Sequence, residues 1–209
     1  MTPEVVDPQL ERAIATLAPP GVLIGHRLIA PGDEDALLPE EAAPLASAVV
    51  AARRASGAAR IVARALLGRL GHPGFVLRRG AAREPLWPPG ITGSLAHDDR
   101  VAVAAVGRAH EVGALGIDVE PAAPLPPDTF DLAVTPRERA RIADDPLRGR
   151  LLFAAKEAVY KALYPLERVF LEFHDIEVDL AARKAGTRTG RTVALRYCIA
   201  SHLVVLAVA

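Results

Sequence analysis

Apolar and polar positions follow two periods along the chain, one typical of helices and one typical of strands. The pattern predicts helices over 7–18, 39–70, 136–143 and 147–163, and strands over 21–30, 75–79, 91–97, 101–106, 113–120, 174–180, 192–198 and 202–209. Pro39 opens the longest helix, and Thr135 with Glu138 has the spacing of a capping box. Helix followed by strands occurs twice, which predicts an α+β fold of two related lobes, with the Pro-rich segment 121–127 as the crossover.

The composition is that of a globular protein and excludes several kinds of site. The 209 residues are 51% apolar, and no stretch is apolar for long enough to span a bilayer, so we expect no membrane segment. Cys198 is the single cysteine, which excludes an internal disulfide framework and a zinc site made of several thiolates. It also favours a reducing, cytoplasmic setting.

Charge is segregated along the chain, although the formal net charge is zero. Residues 1–50 hold two arginines against eight acids, whereas residues 51–110 hold ten arginines against three acids. Arg53, Arg60 and Arg64 share one stripe of the long helix. That stripe is either a local anion site or the solvated face of an arginine-rich helix. We expect no nucleic-acid surface, because the overall charge is neutral and the strands lack aromatic residues for base stacking.

Two carboxylates stand close together in the run Gly116-Ile117-Asp118-Val119-Glu120. Side chains alternate faces along a strand, so Asp118 and Glu120 project from one side while Ile117 and Val119 face the core. Such carboxylates repel each other unless a proton or a cation lies between them, and magnesium accepts carboxylates together with substrate phosphates. The run is therefore either a divalent-cation site or a pair of solvated acids at a strand end.

Two further features carry candidate chemistry. Glu157 and Lys161 are spaced i,i+4 with Phe153 one turn earlier, which makes either an ordinary helix-surface ion pair or a metal ligand beside a phosphate contact. His97 ends the run Gly93-Ser94-Leu95-Ala96-His97. A histidine there can donate to a phosphate, transfer a proton or serve only the fold.

Taken in order, three runs resemble the signatures of the 4′-phosphopantetheinyl transferase superfamily: Gly-Ser-Leu-Ala-His, Gly-Ile-Asp-Val-Glu and Phe-Ala-Ala-Lys-Glu-Ala-Val-Tyr-Lys. The chain looks most like the siderophore-synthetase (enterobactin-type) branch, which is related to the surfactin type. Arg83-Glu84-Pro85-Leu86-Trp87-Pro88 and Phe173-His174-Asp175 also resemble that branch. The similarity extends over residues 38–180.

The resemblance implies a monomer with two similar lobes, residues 1–110 and 111–209, related by pseudo-twofold symmetry. Each lobe would pack a long helix on a small antiparallel sheet, with the active site in the cleft between them. The implied enzyme uses Mg²⁺, with Mn²⁺ as the alternative ion. It transfers the 4′-phosphopantetheine group of coenzyme A to a serine of an apo acyl or peptidyl carrier protein and releases 3′,5′-ADP.

The same resemblance implies roles for individual residues. Asp118, Glu120 and Glu157 would surround the metal. Glu157, Lys161 and His97 would be catalytic, with Glu157 as the candidate base. The expected contacts with coenzyme A are Arg53, Arg60, Arg64, Arg83, Ser94, His97, Lys156 and Lys161.

Differences from the family leave other functions open. Ala96 stands where relatives carry Ser or Thr, so one hydroxyl contact with phosphate is missing. The arginine helix also lacks the family's usual Arg-Arg-x-Glu-Phe run. The alternative is a non-catalytic or hydrolytic paralogue that binds coenzyme A or a carrier protein. The carrier itself is not set by the sequence; Arg78, Arg79 and segment 121–127 are candidates for the surface that meets it.

Overall fold

The computed structural model describes residues 5–142 and 145–209. Its α-helices are α1 (Pro8–Ala15), α2 (Pro39–Ala42), α3 (Val50–Arg69), α4 (Ala109–Val112), α5 (Pro127–Ala133), α6 (Pro136–Arg139) and α7 (Arg148–Glu167). Its strands are β1 (Val22–Leu28), β2 (Ile91–His97), β3 (Val101–Arg108), β4 (Leu115–Pro121), β5 (Ile176–Asp179), β6 (Lys184–Thr187), β7 (Thr192–Ile199) and β8 (His202–Val208). Short 3-10 turns cover Asp33–Ala36, Ala43–Leu45 and Phe173–Asp175.

The strands form two antiparallel sheets. The first has the order β1-β3-β2 and the second has the order β4-β8-β7-β6-β5. The 20-residue helix α3 packs on the first sheet, and the 20-residue helix α7 packs on β4 and β8 of the second. This arrangement confirms the predicted α+β fold, in which each half pairs a long helix with a small antiparallel sheet. No helix within the described residues is long and apolar enough to cross a membrane.

The two sheets meet where β4 contacts β2 and β3, and they share an apolar core. Ile117 and Val119 of β4 face that core together with Val103 of β3. Asp118 and Glu120 instead contact polar side chains of α7, so the predicted alternation along this strand is confirmed. Because the core is shared, the division into residues 1–110 and 111–209 stays a prediction.

The single helix predicted over 39–70 is wrong at its N-terminal end. The chain forms the short helix α2 and a 3-10 turn, and α3 begins only at Val50. Pro44 lies in that turn, and a proline there has no N–H and clashes with the preceding helical turn. The break leaves Glu41 pointing inward, where it is buried.

The segment predicted as a strand over 75–79 forms only an isolated bridge between Arg79 and Pro85. The Leu77 N–H donates to the Glu41 carboxylate at 2.8 Å, a partner that a sheet ladder would otherwise supply. The strand β6 was not predicted, because its sequence Lys-Ala-Gly-Thr is short and has no apolar run. Helix α5 was likewise not predicted, because it begins in the Pro-rich segment assigned to the crossover.

The predicted capping box at the start of α6 is confirmed. The Glu138 N–H donates to Thr135 Oγ1 at 3.1 Å, and the Thr135 N–H donates to Glu138 Oε2 at 2.9 Å. The helix ends at Arg139, earlier than predicted, and the predicted end at Ala143 lies outside the described residues. The strand predicted from residue 174 begins at Ile176, after a 3-10 turn.

Candidate active site

A pocket of about 230 Å³ lies between α3, β2, α7 and the segment that follows α3. Four of its ten lining residues carry a permanent positive charge and none of the ten is acidic. Concentrated positive charge in a concave site attracts an anion. The lining residues are Ser56, Ala59, Arg60, Arg79, Arg83, Pro85, Leu95, Ala96, His97 and Lys161.

Arg60 forms a fixed part of this basic pocket. Its Nη1 donates to Ser56 Oγ at 2.6 Å and its Nε donates to the Leu77 carbonyl oxygen at 3.3 Å. Burial lowers the pKa of Arg60 to about 10, so the guanidinium remains a cation at neutral pH. Glu41 lies 3.8 Å from Nε. The helix α3 therefore presents a buried, oriented positive charge to the pocket.

Arg79 and Arg83 reach the pocket from an irregular segment rather than from a helix. Arg79 Nη2 lies 3.4 Å from Ser56 Oγ. Desolvation lowers the pKa of Arg79, and the neighbouring charge of Arg83 adds to that effect. Two like charges in a desolvated pocket are stabilised when an anion binds between them.

β2 supplies the wall of the basic pocket opposite α3. His97 is the last residue of β2, and its pKa is lowered mainly by desolvation, with Lys161 and Arg79 adding to the effect. The imidazole is therefore neutral at neutral pH and can either donate or accept a hydrogen bond. Ala96 lines the same pocket without a hydroxyl. Ser94 is buried and lines a neighbouring pocket of about 230 Å³.

The carboxylates lie beside the basic pocket because β4 approaches α7 closely. A Cβ on Gly116 would lie 1.8 Å from the Ala158 carbonyl oxygen, so only glycine allows this contact. The approach places Lys161 Nζ 2.6 Å from Asp118 Oδ1. Lys161 therefore forms its ion pair with Asp118 of β4, and not with Glu157 one turn earlier on α7.

Asp118 is buried and only partly satisfied. Its Oδ1 accepts from Lys161, whereas its Oδ2 has no hydrogen-bond partner within the described part of the chain. Desolvation raises the pKa of Asp118 to about 6, the charge of Glu157 adds to that effect, and Lys161 opposes it. An unpartnered buried carboxylate oxygen is costly, and a proton or a cation would relieve that cost.

Glu120 is held by a different partner. Its Oε2 accepts from Arg150 Nη1 at 2.7 Å, and the same guanidinium donates to the carbonyl oxygens of Ala123 and Pro124 at 3.2 and 2.8 Å. Desolvation raises the pKa of Glu120 in spite of Arg150. Across residues 5–142 and 145–209, no three Asp, Glu, His or Cys side chains are grouped closely enough to hold a metal ion.

Glu157 lies at the wall of a larger cavity of about 500 Å³. Apolar side chains form most of that cavity, namely Leu132, Tyr160, Phe170, Leu171, Phe173 and Ile176. The cavity shares Tyr160 with the pocket around Ser94, which in turn shares Arg83, Leu95 and Lys161 with the basic pocket. The three spaces therefore adjoin one another; Lys161 lines the two smaller ones, and Glu157 lines the 500 Å³ cavity.

Comparison with known proteins covers nearly the whole chain. Residues 40–107 match the profile of the 4′-phosphopantetheinyl transferase N-terminal domain, and residues 114–208 match that of the 4′-phosphopantetheinyl transferase superfamily. A 4′-phosphopantetheinyl transferase of Streptomyces mobaraensis is 41% identical over 186 residues, which cover 85% of this chain and 75% of the relative. The chain belongs to the 4′-phosphopantetheinyl transferase superfamily. The family predicted from the three motifs is confirmed.

Other members of the superfamily match over different lengths. A 4′-phosphopantetheinyl transferase of Mycobacterium tuberculosis is 40% identical over 160 residues, 75% of this chain and 70% of the relative. The enterobactin synthase component D of Escherichia coli strain K12 is 35% identical over 89 residues, 40% of this chain and 41% of the relative. The similarity to the siderophore-synthetase branch is therefore present, but it covers a shorter part of the chain.

Four predicted contacts with coenzyme A do not line the basic pocket: Ser94, which lines the pocket beside it, and Lys156, Arg64 and Arg53. Lys156 is buried, and its ammonium contacts the Glu138 carboxylate at 2.7 Å and the Ala133 and Phe173 carbonyl oxygens. Arg64 donates to the Glu41 carboxylate at 2.8 Å and to the Ala36 carbonyl oxygen at 2.6 Å. Neither Arg64 nor Arg53 lines the basic pocket. These internal partners use the ammonium of Lys156 and both terminal nitrogens of Arg64, which disfavours the predicted roles of the two residues.

Sequence reasoning missed two residues that the structure places at the site. Arg79, assigned to the carrier surface, lines the basic pocket, and Arg150 holds Glu120. Gly80, next to Arg79, is typical of a tight turn, so the sequence indicated that the chain reverses direction there. It did not indicate that the turn lies against the basic pocket. Arg150 lies seven residues before Glu157, on the same stripe of α7, and this spacing was a usable signal.

Proposed function

We propose that this chain transfers the 4′-phosphopantetheine group of coenzyme A to a serine hydroxyl of an apo acyl or peptidyl carrier protein. The serine oxygen forms a bond to the phosphorus that carries pantetheine. The bond from that phosphorus to the 3′,5′-ADP oxygen breaks, and its electron pair leaves with 3′,5′-ADP. The proton of the serine hydroxyl passes to a base of the enzyme.

The order of chemistry along the cleft carries this proposal. Coenzyme A has phosphates at one end and a long, weakly polar pantetheine arm at the other. The basic pocket suits the phosphates, and the 500 Å³ apolar cavity beside Glu157 suits the arm. Lys161, at the junction, suits the pyrophosphate that must be cleaved.

Arg60, Arg79, Arg83 and His97 are the proposed contacts with the phosphates. Arginine has fixed, fork-shaped donors that match phosphate oxygens, and burial strengthens each such hydrogen bond. Arg60 is already oriented by Ser56, so little conformational entropy is lost when it binds. Phosphoryl transfer depends mostly on positioning and charge stabilisation, which makes this preset array the main contribution of the first half.

Glu157 is the proposed base for the serine hydroxyl, and Lys161 the proposed support for the departing phosphate. Glu157 is half-buried, and it lines the cavity through which a pantetheine arm would pass. Lys161 lines the basic pocket and is held there by its ion pair with Asp118 Oδ1. A base on one side and a cation on the other suit an in-line displacement.

Asp118, Glu120 and Glu157 are the proposed holders of a divalent cation, with Mg²⁺ preferred and Mn²⁺ as the alternative. The unpartnered Oδ2 of Asp118 and the raised pKa of that residue fit such an ion, because both express a missing positive charge. The ion would neutralise phosphate charge during transfer. Glu120 would have to share its carboxylate between the ion and Arg150.

Intact mass of a carrier protein tests the proposal. An apo carrier incubated with this protein, coenzyme A and Mg²⁺ should gain the mass of one phosphopantetheine. Chelator and the variant Asp118→Ala should each abolish the gain. A set of acyl and peptidyl carriers that all stay unmodified, while wild-type protein is folded, would contradict the proposal.

Release of 3′,5′-ADP in the absence of any carrier distinguishes a hydrolytic paralogue from a transferase. A transferase should release it only when an apo carrier is present. A monomeric state, a cytoplasmic location and the lack of a nucleic-acid partner stay predictions from the sequence.

A further inference from the structure

Two of the arginines in the basic pocket belong to one irregular segment, residues 79–85, which we call the arginine loop. Its ends are joined by the Arg79–Pro85 bridge, and the Gly80 N–H donates to the Glu84 carbonyl oxygen at 2.7 Å. Arg83 has a φ of 69°, in the left-handed region that side chains other than glycine rarely occupy. Such a conformation persists only where its surroundings hold it.

The side chain of Glu84 is the centre of those surroundings. One carboxylate oxygen accepts the Ala82 N–H at 3.0 Å, and the other accepts from Arg168 Nη1. Arg168 is the last residue of α7's C-terminal cap and lies 5.5 Å from the centre of the Tyr164 ring. The Glu84–Arg168 ion pair therefore ties the arginine loop of the first half to the end of α7 in the second.

A carboxylate beside the basic pocket is unfavourable for anion binding, so its presence there calls for a structural reason. Glu84 lines the pocket that adjoins the basic pocket, and it directly follows Arg83, which lines both. By Coulomb's law its negative charge weakens the attraction of a phosphate. The contacts of Glu84, however, fix the turn that carries Arg79 and Arg83, both of which line the basic pocket.

We infer that Glu84 is a positioning residue for coenzyme A, which acts by anchoring the arginine loop to Arg168. This inference rests on the proposed binding of coenzyme A in the same cleft. Glu84 itself would not contact the reacting atoms. It would affect the affinity for the phosphates and leave the chemical step unaltered.

The variant Glu84→Gln separates positioning from simple electrostatics, because the two predict opposite signs. Loss of a negative charge alone would tighten the binding of 3′,5′-ADP. Loss of the anchor should weaken it by about two- to fivefold, the scale expected for one largely exposed ion pair. We expect the KM for coenzyme A to rise by a similar factor, while kcat and the KM for the carrier change by less than about twofold.

Two further variants sharpen the result. A Cβ on Gly80 would lie 2.5 Å from Glu84 Cδ, so Gly80→Ala should displace the carboxylate without changing any charge, and should also weaken 3′,5′-ADP binding. In the double variant Glu84→Gln with Arg168→Gln, the loss of affinity should be no larger than in Glu84→Gln alone, because both changes break the same ion pair. Independent charge effects would instead have opposite signs and would largely cancel in the double variant.

The pair Arg191–Glu167 provides a matched control. It also lies at the end of α7, and its side chains are 58% and 13% exposed, the same values as for Arg168 and Glu84. Glu167 lines neither the basic pocket nor the pocket beside it. Glu167→Gln should leave the affinity for 3′,5′-ADP and the KM for coenzyme A unchanged.

Calorimetric titration with 3′,5′-ADP and with coenzyme A measures the affinities, and steady-state kinetics measures KM and kcat. If wild-type protein binds neither compound, both this inference and the proposed function are overturned. If wild-type protein binds and transfers, but Glu84→Gln binds equally well or more tightly, only the positioning role is overturned. A fall in affinity shared by Glu167→Gln would also overturn it.

Discussion

Two buried carboxylates beside the long helices are fully satisfied, and a third is not. Glu41 accepts from Arg64, from the Leu38 N–H and from the Leu77 N–H. Asp118 accepts from Lys161 through one oxygen and has no partner for the other within the described residues. The saturated group stabilises the fold, whereas the unsaturated group is available to a ligand.

Glu138 repeats the arrangement of Glu41 in the second half. It accepts the Thr135 N–H before its short helix, the Val178 N–H of β5 and the ammonium of Lys156. Glu41 accepts in the same way from the residue before α2, from a distant backbone N–H and from a cation of the long helix. Each half thus contains a saturated internal ion pair of this form, and within the described residues Asp118 differs from both because one of its oxygens has no partner.

The largest expected effect comes from breaking the saturated pair. Lys156→Met should lower the free energy of unfolding by about 3–5 kcal/mol, because it leaves the Glu138 charge buried without its cation. Urea unfolding at neutral pH measures this loss. The matched variant Lys161→Met should cost less than half as much, since Asp118 already titrates near pH 6 and can take up a proton. Equal losses in the two variants would contradict the comparison.

Glu157→Gln should affect the reaction and not the fold. Removal of a general base typically costs about a hundredfold or more in rate, which corresponds to roughly 3 kcal/mol of barrier. The free energy of unfolding should change by less than about 0.5 kcal/mol, because Glu157 is half-buried at a cavity wall. Single-turnover transfer to an apo carrier measures the rate. A variant with full activity would exclude Glu157 as the base.

The contrast between Lys156 and Lys161 shows what sequence could and could not predict. Both lie in the same motif, and the motif identified the family and the helix correctly. Five residues of an α-helix correspond to a rotation of about 140°, so the two ammonium groups must face different sides. The sequence therefore indicated that the two lysines meet different partners. It did not indicate that Lys156 is held by Glu138 at the wall of the 500 Å³ cavity while Lys161 lines the basic pocket, because those contacts join segments that are distant in sequence.

The arginines of the first half were harder to place for a related reason. Arg60 and Arg64 share a stripe of α3 as predicted, but Glu41 takes the donors of Arg64. That partner became available only because Pro44 broke the predicted helix and turned Glu41 inward. Arg79 replaces Arg64 in the pocket through a turn without regular structure. Local periodicity predicts faces of helices, whereas these assignments depend on contacts between distant segments.

Asp118→Asn should stabilise the free protein at neutral pH while abolishing transfer. The folded-state pKa of Asp118, about 6, is above the ordinary 3.8, so the charged form opposes folding above pH 6. Wild-type protein loses this penalty as the pH falls from 6 to below 4, because the folded state then binds the proton more readily. With chelator present, the variant should gain about 1–3 kcal/mol at pH 8.

Urea unfolding at several pH values measures that difference. The advantage of Asp118→Asn over wild-type protein should shrink steadily as the pH falls from 6 to 4. Glu138→Gln should change the free energy of unfolding in the opposite direction, because removing a saturated carboxylate should destabilise the protein at pH 8. If Asp118→Asn also destabilised at pH 8, Asp118 would belong with the saturated groups.

The smallest expected effect comes from adding a hydrogen-bond donor to the basic pocket. Ala96→Ser places a hydroxyl at the wall of the basic pocket, where a phosphate would accept its hydrogen bond. One such bond contributes about 1 kcal/mol, so coenzyme A should bind roughly three- to fivefold more tightly by calorimetry. Without ligand, the new hydroxyl is buried with little to bond to, and the melting temperature should fall slightly. Affinity and free-state stability should therefore move in opposite directions. If the melting temperature rose and the affinity for coenzyme A did not, the hydroxyl would have found a partner inside the protein, and the pocket wall at Ala96 would not face the phosphates.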